Sequence, residues 1–106
     1  MARAVTLGNG NMLVGLGYRG QVHDLYFPFV GESNHVSGAS GSYLHRIGVF
    51  VDGAISWLDD PAWNVVVGSD AQTVVGSMHA VNDTLGVTLT SSDVVHNEQN
   101  IFIRSF

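Results

Sequence analysis

The stretch that decides the fold runs Asp24-Leu25-Tyr26-Phe27-Pro28-Phe29-Val30-Gly31-Glu32-Ser33-Asn34-His35. Its first residues alternate with the period of two that a pleated strand requires, with Leu25 and Phe27 on one face. Pro28 has no backbone N–H, so the strand ends there or lies at the edge of a sheet. A polar and glycine-rich run follows as far as Ser42. A loop of that length in a small domain is usually functional or disordered.

The loop over residues 29–42 opens with an aromatic cluster and carries three polar side chains, Glu32, Asn34 and His35. This composition favours a functional loop, for which the hairpins on either side serve as a scaffold. The alternative is an Ω-loop that packs only against its own aromatic residues.

Strand and turn signals alternate along the rest of the chain. Asn9-Gly10 and Asp52-Gly53 are hairpin signals, because such pairs readily take positive φ angles. We predict strands over 4–7, 12–16, 21–27, 43–51, 54–58, 63–67, 73–81, 85–90, 94–96 and 101–106, with Ser91-Ser92-Asp93 as a loop. No stretch has the caps and apolar spacing of a helix. The chain is therefore predicted to be all-β, an antiparallel and hairpin-rich β-sandwich. It would form a single domain over 1–106 or the N-terminal portion of a larger one.

The charge distribution excludes several classes of partner. Only 12% of the 106 residues are charged and the net charge is −5, so part of the surface is expected to meet another domain or subunit. The positive residues are four scattered arginines, at positions 3, 19, 46 and 104. Without a basic patch, we expect no binding to nucleic acid or to an anionic membrane.

Three further features bear on location and assembly. Cysteine is absent, which excludes disulfides and thiolate metal sites. Residues 1–10 lack the apolar core of a signal peptide and no apolar run is long enough to cross a bilayer, so we expect a cytoplasmic location. The last predicted strand is apolar to its end, at Ile101, Ile103 and Phe106. Such a strand predicts an open sheet edge and a homo-oligomer formed through such edges.

No catalytic constellation is evident from the spacing of the polar residues. No serine lies in a Gly-x-Ser-x-Gly elbow, and the five histidines lack the spacing of a metal motif, so we expect neither a metal nor a cofactor. Asp59 and Asp60 are adjacent and would point apart on an extended chain. The two glutamates, Glu32 and Glu98, lie in predicted loops.

Two tryptophans offer a separate possibility for binding. Trp57 and Trp63 flank one predicted turn. In that arrangement they could stack on a sugar ring, or they could fill the core of the sandwich.

Several segments together resemble the N-terminal β-sandwich domain of bacterial and archaeal glycoside hydrolase family 15 proteins, which are glucoamylase-like enzymes. The matching segments are Leu7-Gly8-Asn9-Gly10, residues 24–31 with Asn34-His35, residues 46–53 with Ser56-Trp57-Leu58, Leu85-Gly86-Val87, and residues 100–104. The Tyr-Phe-Pro and Val-Asp-Gly segments are the specific parts of this match. The remainder is generic β sequence.

The resemblance implies part of an antiparallel supersandwich, which in such enzymes precedes an (α/α)-barrel carrying two catalytic glutamates. Those enzymes remove glucose from the non-reducing ends of α-glucans and gluco-oligosaccharides with inversion. This chain has no barrel, and neither of its glutamates matches a catalytic position. The chain alone is therefore expected not to hydrolyse glucosides.

The resemblance also implies that the loop after Pro28 faces the catalytic domain. Five residues would then form an interdomain contact or the rim of a sugar site: Tyr26, Phe27, Pro28, Asn34 and His35. Two alternatives remain at this point. The chain could be a free-standing carbohydrate-binding module, or a structural module that associates with itself.

Overall fold

The chain folds into β-strands joined by tight turns. A computed structural model describes residues 3–28, 33–36, 45–69 and 75–106. Within these ranges there are nine strands and no helix. The strands are β1 (Val5–Gly8), β2 (Leu13–Leu16), β3 (Val22–Tyr26), β4 (Gly48–Val51), β5 (Ala54–Trp57), β6 (Asn64–Ser69), β7 (Gly76–Asn82), β8 (Val87–Val95) and β9 (Phe102–Ser105).

The strands form three antiparallel sheets in chain order. Strands β1-β2-β3 make one sheet, β4-β5 make a two-stranded hairpin, and β6-β7-β8-β9 make a four-stranded sheet. The predicted all-β, antiparallel and sandwich-like fold class is confirmed. The β4–β5 turn has positive φ at both Asp52 (52°) and Gly53 (80°), as the predicted hairpin signal requires. The described segments contain no helical stretch with the length and hydropathy that a membrane crossing requires.

One face of the four-stranded sheet is covered twice. The β1-β2-β3 sheet covers one part of it and builds a first core: Val5, Leu7, Met12, Val14, Leu16, Val22 and Val95. The β4–β5 hairpin and the turn after it cover another part and build a second core around Leu58, Trp63, Met78 and Ala80. Val67 of β6 packs against both cores.

Asn9 connects the turn between β1 and β2 to the turn between β8 and β9. Its Oδ1 accepts hydrogen bonds from the backbone N–H groups of Asn11 (3.0 Å) and Met12 (2.9 Å). Its Nδ2 donates to the carbonyls of His96 (2.9 Å) and Gln99 (3.1 Å). One side chain therefore fixes two distant turns against each other.

Several predicted boundaries were wrong where the structure describes them, and three are the most informative. Residues 91–93 are not a loop but the middle of β8, which includes Val94 and Val95 of the predicted 94–96 strand and ends before His96. Residues 45–47 precede β4 instead of belonging to it, and β7 begins at Gly76. Residues 43–44 and 73–74 of the predicted strands lie outside the described residues.

Candidate functional site

The end of β3 and residues 33–36 form the neck of the loop that the sequence singled out. We call residues 25–28 together with 33–36 the loop neck. The backbone N–H of His35 donates to the carbonyl of Leu25 at 2.9 Å. Asn34 Oδ1 accepts from the N–H groups of Leu25 and Val36, both at 3.0 Å. His35 Nε2 lies 2.9 Å from the carbonyl oxygen of Phe27.

The last contact fixes the proton position on His35. A carbonyl oxygen can only accept a hydrogen bond, so Nε2 carries a proton and donates to it. Within the described residues Nδ1 makes no hydrogen bond. The loop neck therefore presents the exposed His35 ring beside Phe27, which is 41% exposed, and beside the exposed Pro28.

The five predicted rim residues are thus brought together at one end of the β1-β2-β3 sheet. Asn34 has a structural role there, because its side-chain Oδ1 joins the two segments of the loop neck by accepting hydrogen bonds from both. Tyr26 is half-buried and pairs with Leu13 across the sheet. Their role at an interdomain contact or sugar rim stays a prediction. Residues 29–32 and 37–42 of the predicted loop lie outside the described residues.

An ion pair supports the same strand from its buried side. Asp24 is 3% exposed, and its Oδ2 lies 2.6 Å from Arg3 Nη2. The hydrogen bond and the charge of this carboxylate raise the pKa of Arg3. Gly15 on β2 makes room for the pair, because a Cβ at that position would collide with Asp24 Oδ1. That oxygen is buried and has no hydrogen-bond partner among the described residues.

The two tryptophans flank the predicted turn but do not form a common sugar platform. Trp63 is 1% exposed, lies in the second core, and donates from Nε1 to Ser56 Oγ at 2.8 Å. Trp57 is half-buried, and the Arg46 guanidinium lies 4.2 Å from its ring centroid. Trp63 therefore has no ring face open to a sugar. The predicted stacking of a sugar on both tryptophans is wrong for Trp63, whose ring fills the second core.

A polar cluster lies beside Trp57 and is occupied by structural bonds. Asp59 Oδ2 and Oδ1 accept from Arg46 at 2.6 and 2.9 Å. The hydrogen bond and charge of Arg46 lower the pKa of Asp59. Arg19 donates to the carbonyls of Leu58 (2.8 Å), Asp60 (2.5 Å) and Trp63 (3.0 Å). These bonds attach the β2–β3 turn to the chain that follows β5.

His45 is the last member of this polar cluster, and its ring also makes a structural hydrogen bond. Its Nδ1 accepts the backbone N–H of Val22 at 2.9 Å. Burial and the charge of Arg104 lower the pKa of His45. The cleft among Arg19, His45 and Asp59 holds only about 10 Å³, roughly the room of one water. It is too small for a substrate.

A buried ion pair joins β8 to β9. Asp93 is fully buried, and Arg104 Nε donates to its Oδ1 at 2.7 Å. Ser91 Oγ donates to the other carboxylate oxygen at 3.2 Å. Arg104 Nη1 is buried, and no described residue accepts a hydrogen bond from it. The sequence pattern missed this pair because it treated residues 91–93 as a loop.

Among the described residues, no group of three or more histidine, aspartate or glutamate side chains could hold a metal ion. A groove between β5 and the turn after β7 is the larger open space, at about 240 Å³. No sequence signal pointed to it, because its lining residues come together only in the fold. Comparisons with protein-family models, curated proteins and solved structures found no match for this chain.

Proposed function

We propose that the chain is a non-catalytic β-sandwich module of a glucoamylase-like α-glucoside hydrolase. In this role it packs against a catalytic (α/α)-barrel, and the loop neck lies at the contact. The observation that carries the proposal is the loop neck itself. There Phe27, Pro28 and His35 are exposed on a short segment that three backbone and side-chain hydrogen bonds fix to β3.

The state of the buried carboxylates supports a non-catalytic role. Glycoside hydrolysis needs two carboxyl groups at a fixed separation with a sugar between them. Asp24 and Asp93 are each bound by an arginine inside the sandwich. Asp59 is bound by Arg46 beside a cleft of about one water.

Docking to a barrel tests the proposal. The chain would be co-expressed with a glucoamylase-like (α/α)-barrel domain, and the affinity measured by titration calorimetry. Phe27→Ala and His35→Ala should each weaken binding about tenfold, as expected for exposed side chains near the centre of an interface. Phe50→Ala is the matched control, because Phe50 is 74% exposed on the β4–β5 hairpin. Equal effects of the three variants, or no binding at all, would contradict the proposal.

A second candidate is a module that associates with itself, and the outer face of the four-stranded sheet favours it. The outward positions on β6 to β9 carry no charged residue: Asn64, Val66, Gly68, Ser77, His79, Val81, Thr88, Thr90, Ser92, Val94, Ile103 and Ser105. Val66 is 63% and Ile103 43% exposed on this face. Strands β6 and β9 also have one unpaired edge each in the described sheet.

Sedimentation velocity separates the two candidates. Self-association predicts a dimer or larger species that Val66→Lys and Ile103→Lys reduce to the monomer, because charges on the face oppose stacking. A monomer at all concentrations would rule it out. The carbohydrate-binding alternative has less support, because Trp63 is buried and Arg46 covers Trp57.

A further inference from the structure

The groove between β5 and the turn after β7 carries a side-chain donor that no described residue accepts. We call it the β5 groove; its lining includes Ile55, Ser56, Asp60, Asn82 and Leu85. Asn82 is 2% exposed, and its Oδ1 accepts the backbone N–H of Leu85 at 3.0 Å. Its Nδ2 donates no hydrogen bond within the described residues and is not sealed from the groove. A nearly buried donor of this kind is expected to bind an acceptor.

A free strand edge borders the same groove. The two-residue turn Asp52-Gly53 makes Val51 and Ala54 a hydrogen-bonded pair, so the next pair, Phe50 and Ile55, is not hydrogen-bonded. The N–H and C=O of Ile55 therefore point away from β4. No other strand pairs with β5 in the described part of the chain. An extended chain could pair with this edge by strand addition.

The shape of the β5 groove favours a chain segment over an enclosed small molecule. Its volume of about 240 Å³ is below the range of roughly 300–1,000 Å³ that is typical of small-molecule pockets. An extended peptide needs no enclosure, because its main-chain hydrogen bonds and alternate side chains supply the contacts.

The charges around the groove select the kind of peptide. Asp60 lines the groove, and Asp52 and Asp83 adjoin its lining residues in sequence. None of these three carboxylates forms an ion pair with a described residue. A cationic side chain would therefore be attracted to this rim.

A second copy of the chain cannot supply that cation. The sequence has four positive side chains, all arginine. Three of them bind aspartates, and Arg19 binds three backbone carbonyls. The complementary charge has to come from a different protein.

We propose that the β5 groove binds an extended peptide segment of a partner protein that carries lysine or arginine. The segment pairs with the Ile55 edge, accepts a hydrogen bond from Asn82 Nδ2 through a backbone carbonyl, and places its cation near Asp60. This site lies apart from the loop neck and does not depend on the proposed contact with a barrel.

A designed peptide tests the site directly. The probe is an N-acetylated, C-amidated hexapeptide of alternating valine and lysine, titrated into the ¹⁵N-labelled chain. We expect saturable binding and slower hydrogen exchange at the Ile55 amide. The matched peptide with glutamate in place of lysine should bind at least about tenfold more weakly, because it meets a rim of carboxylates.

Two proline variants locate the contact. Ile55→Pro removes the N–H that points away from β4 on the groove side and spares the hydrogen bonds to β4, so it should weaken binding about tenfold or more. Phe50→Pro makes the same change on the opposite edge of the hairpin and should change binding less than about twofold. Asp60→Asn keeps the oxygen that accepts the Ala62 N–H. It should weaken binding of the lysine peptide only, and it remains informative if Ile55→Pro does not fold.

Four outcomes of the peptide titrations would overturn the proposal. They are no saturable binding, equal binding of the two peptides, equal losses in the two proline variants, and binding unchanged by Asp60→Asn. A wild-type dimer that Ile55→Pro dissociates would also overturn it, because the occupant would then be a second copy.

Discussion

The β1-β2-β3 sheet and the β4–β5 hairpin cover the same four-stranded sheet in different ways. The three-stranded sheet buries alternate side chains almost completely, and Val14 and Leu16 of β2 are both 0% exposed. No side chain in β4 or β5 is fully buried. The hairpin has instead Phe50 (74% exposed) and Ile55 (52% exposed) on its outer face.

The difference shows that the hairpin depends mainly on buried residues outside its strands, since its own Val49 is only partly buried against the second core. Leu58 and Trp63, just after β5, supply its buried anchors, and Arg19 fixes them through backbone carbonyls. An isolated two-stranded hairpin is marginally stable in water. An element attached in this way keeps free strand edges, which is the condition for the β5 groove.

The largest expected effect comes from removing the hairpin's anchor. Trp63→Ala should reduce the free energy of unfolding by about 4 kcal/mol, because it leaves a large cavity and an unpaired Ser56 hydroxyl. Urea unfolding measures the change. Leu16→Ala in the first core is the comparison and should cost about 3 kcal/mol. A loss below about 1 kcal/mol at Trp63 would show that the second core does not hold the hairpin.

The next largest loss of stability is expected from breaking the buried Asp93–Arg104 ion pair, which lies in the four-stranded sheet. Asp93→Asn leaves the Arg104 charge buried without a counter-charge and should cost about 3 kcal/mol in urea unfolding. Asp59→Asn removes the exposed pair beside the hairpin and should cost much less. Equal effects of the two substitutions would mean that burial does not distinguish the pairs.

A smaller loss of stability is expected from weakening the contact between the β1-β2-β3 sheet and the β4–β5 hairpin. Arg19→Lys keeps the charge but loses the planar fork that reaches three carbonyls, so it should cost about 2 kcal/mol. The loss should be accompanied by faster proteolysis between residues 48 and 63, with the β1-β2-β3 sheet still protected. Unchanged proteolysis would contradict the role of Arg19 in attaching the hairpin.

The smallest expected effect is a pH dependence of the unfolding free energy that arises from His45. The folded pKa of His45 lies below its ordinary value of 6.5. Between those two values the unfolded chain binds the proton more readily, so stability falls as the pH drops below 6.5. His45→Asn keeps an acceptor for the Val22 N–H and cannot titrate, so its unfolding free energy should vary less with pH over this window. Identical pH profiles would exclude His45 as the source.

The sequence predicted those features whose cause is local. The β4–β5 turn follows from Asp52-Gly53, and the fold class follows from short alternating runs and the lack of helix signals.

Features that depend on distant partners escaped the sequence. Asp93 looked like a loop residue because its partner, Arg104, lies on the next strand. Trp57 and Trp63 looked equivalent, and only packing separates a ring under Arg46 from a ring in the core. The β5 groove combines β5 with a turn that follows a different sheet. No local pattern encodes that proximity.

Native-state amide hydrogen exchange tests most directly whether the hairpin opens independently of the three-stranded sheet because its main anchors lie outside its strands. The hydrogen-bonded amides of Val49 and Val51 should exchange by local opening, well before those of Val14 and Ala80, which lie on central strands. Arg19→Lys should speed exchange at the hairpin and leave Val14 unchanged. If all four amides exchange together in the wild type, the hairpin and the three-stranded sheet are one cooperative unit and the account is wrong.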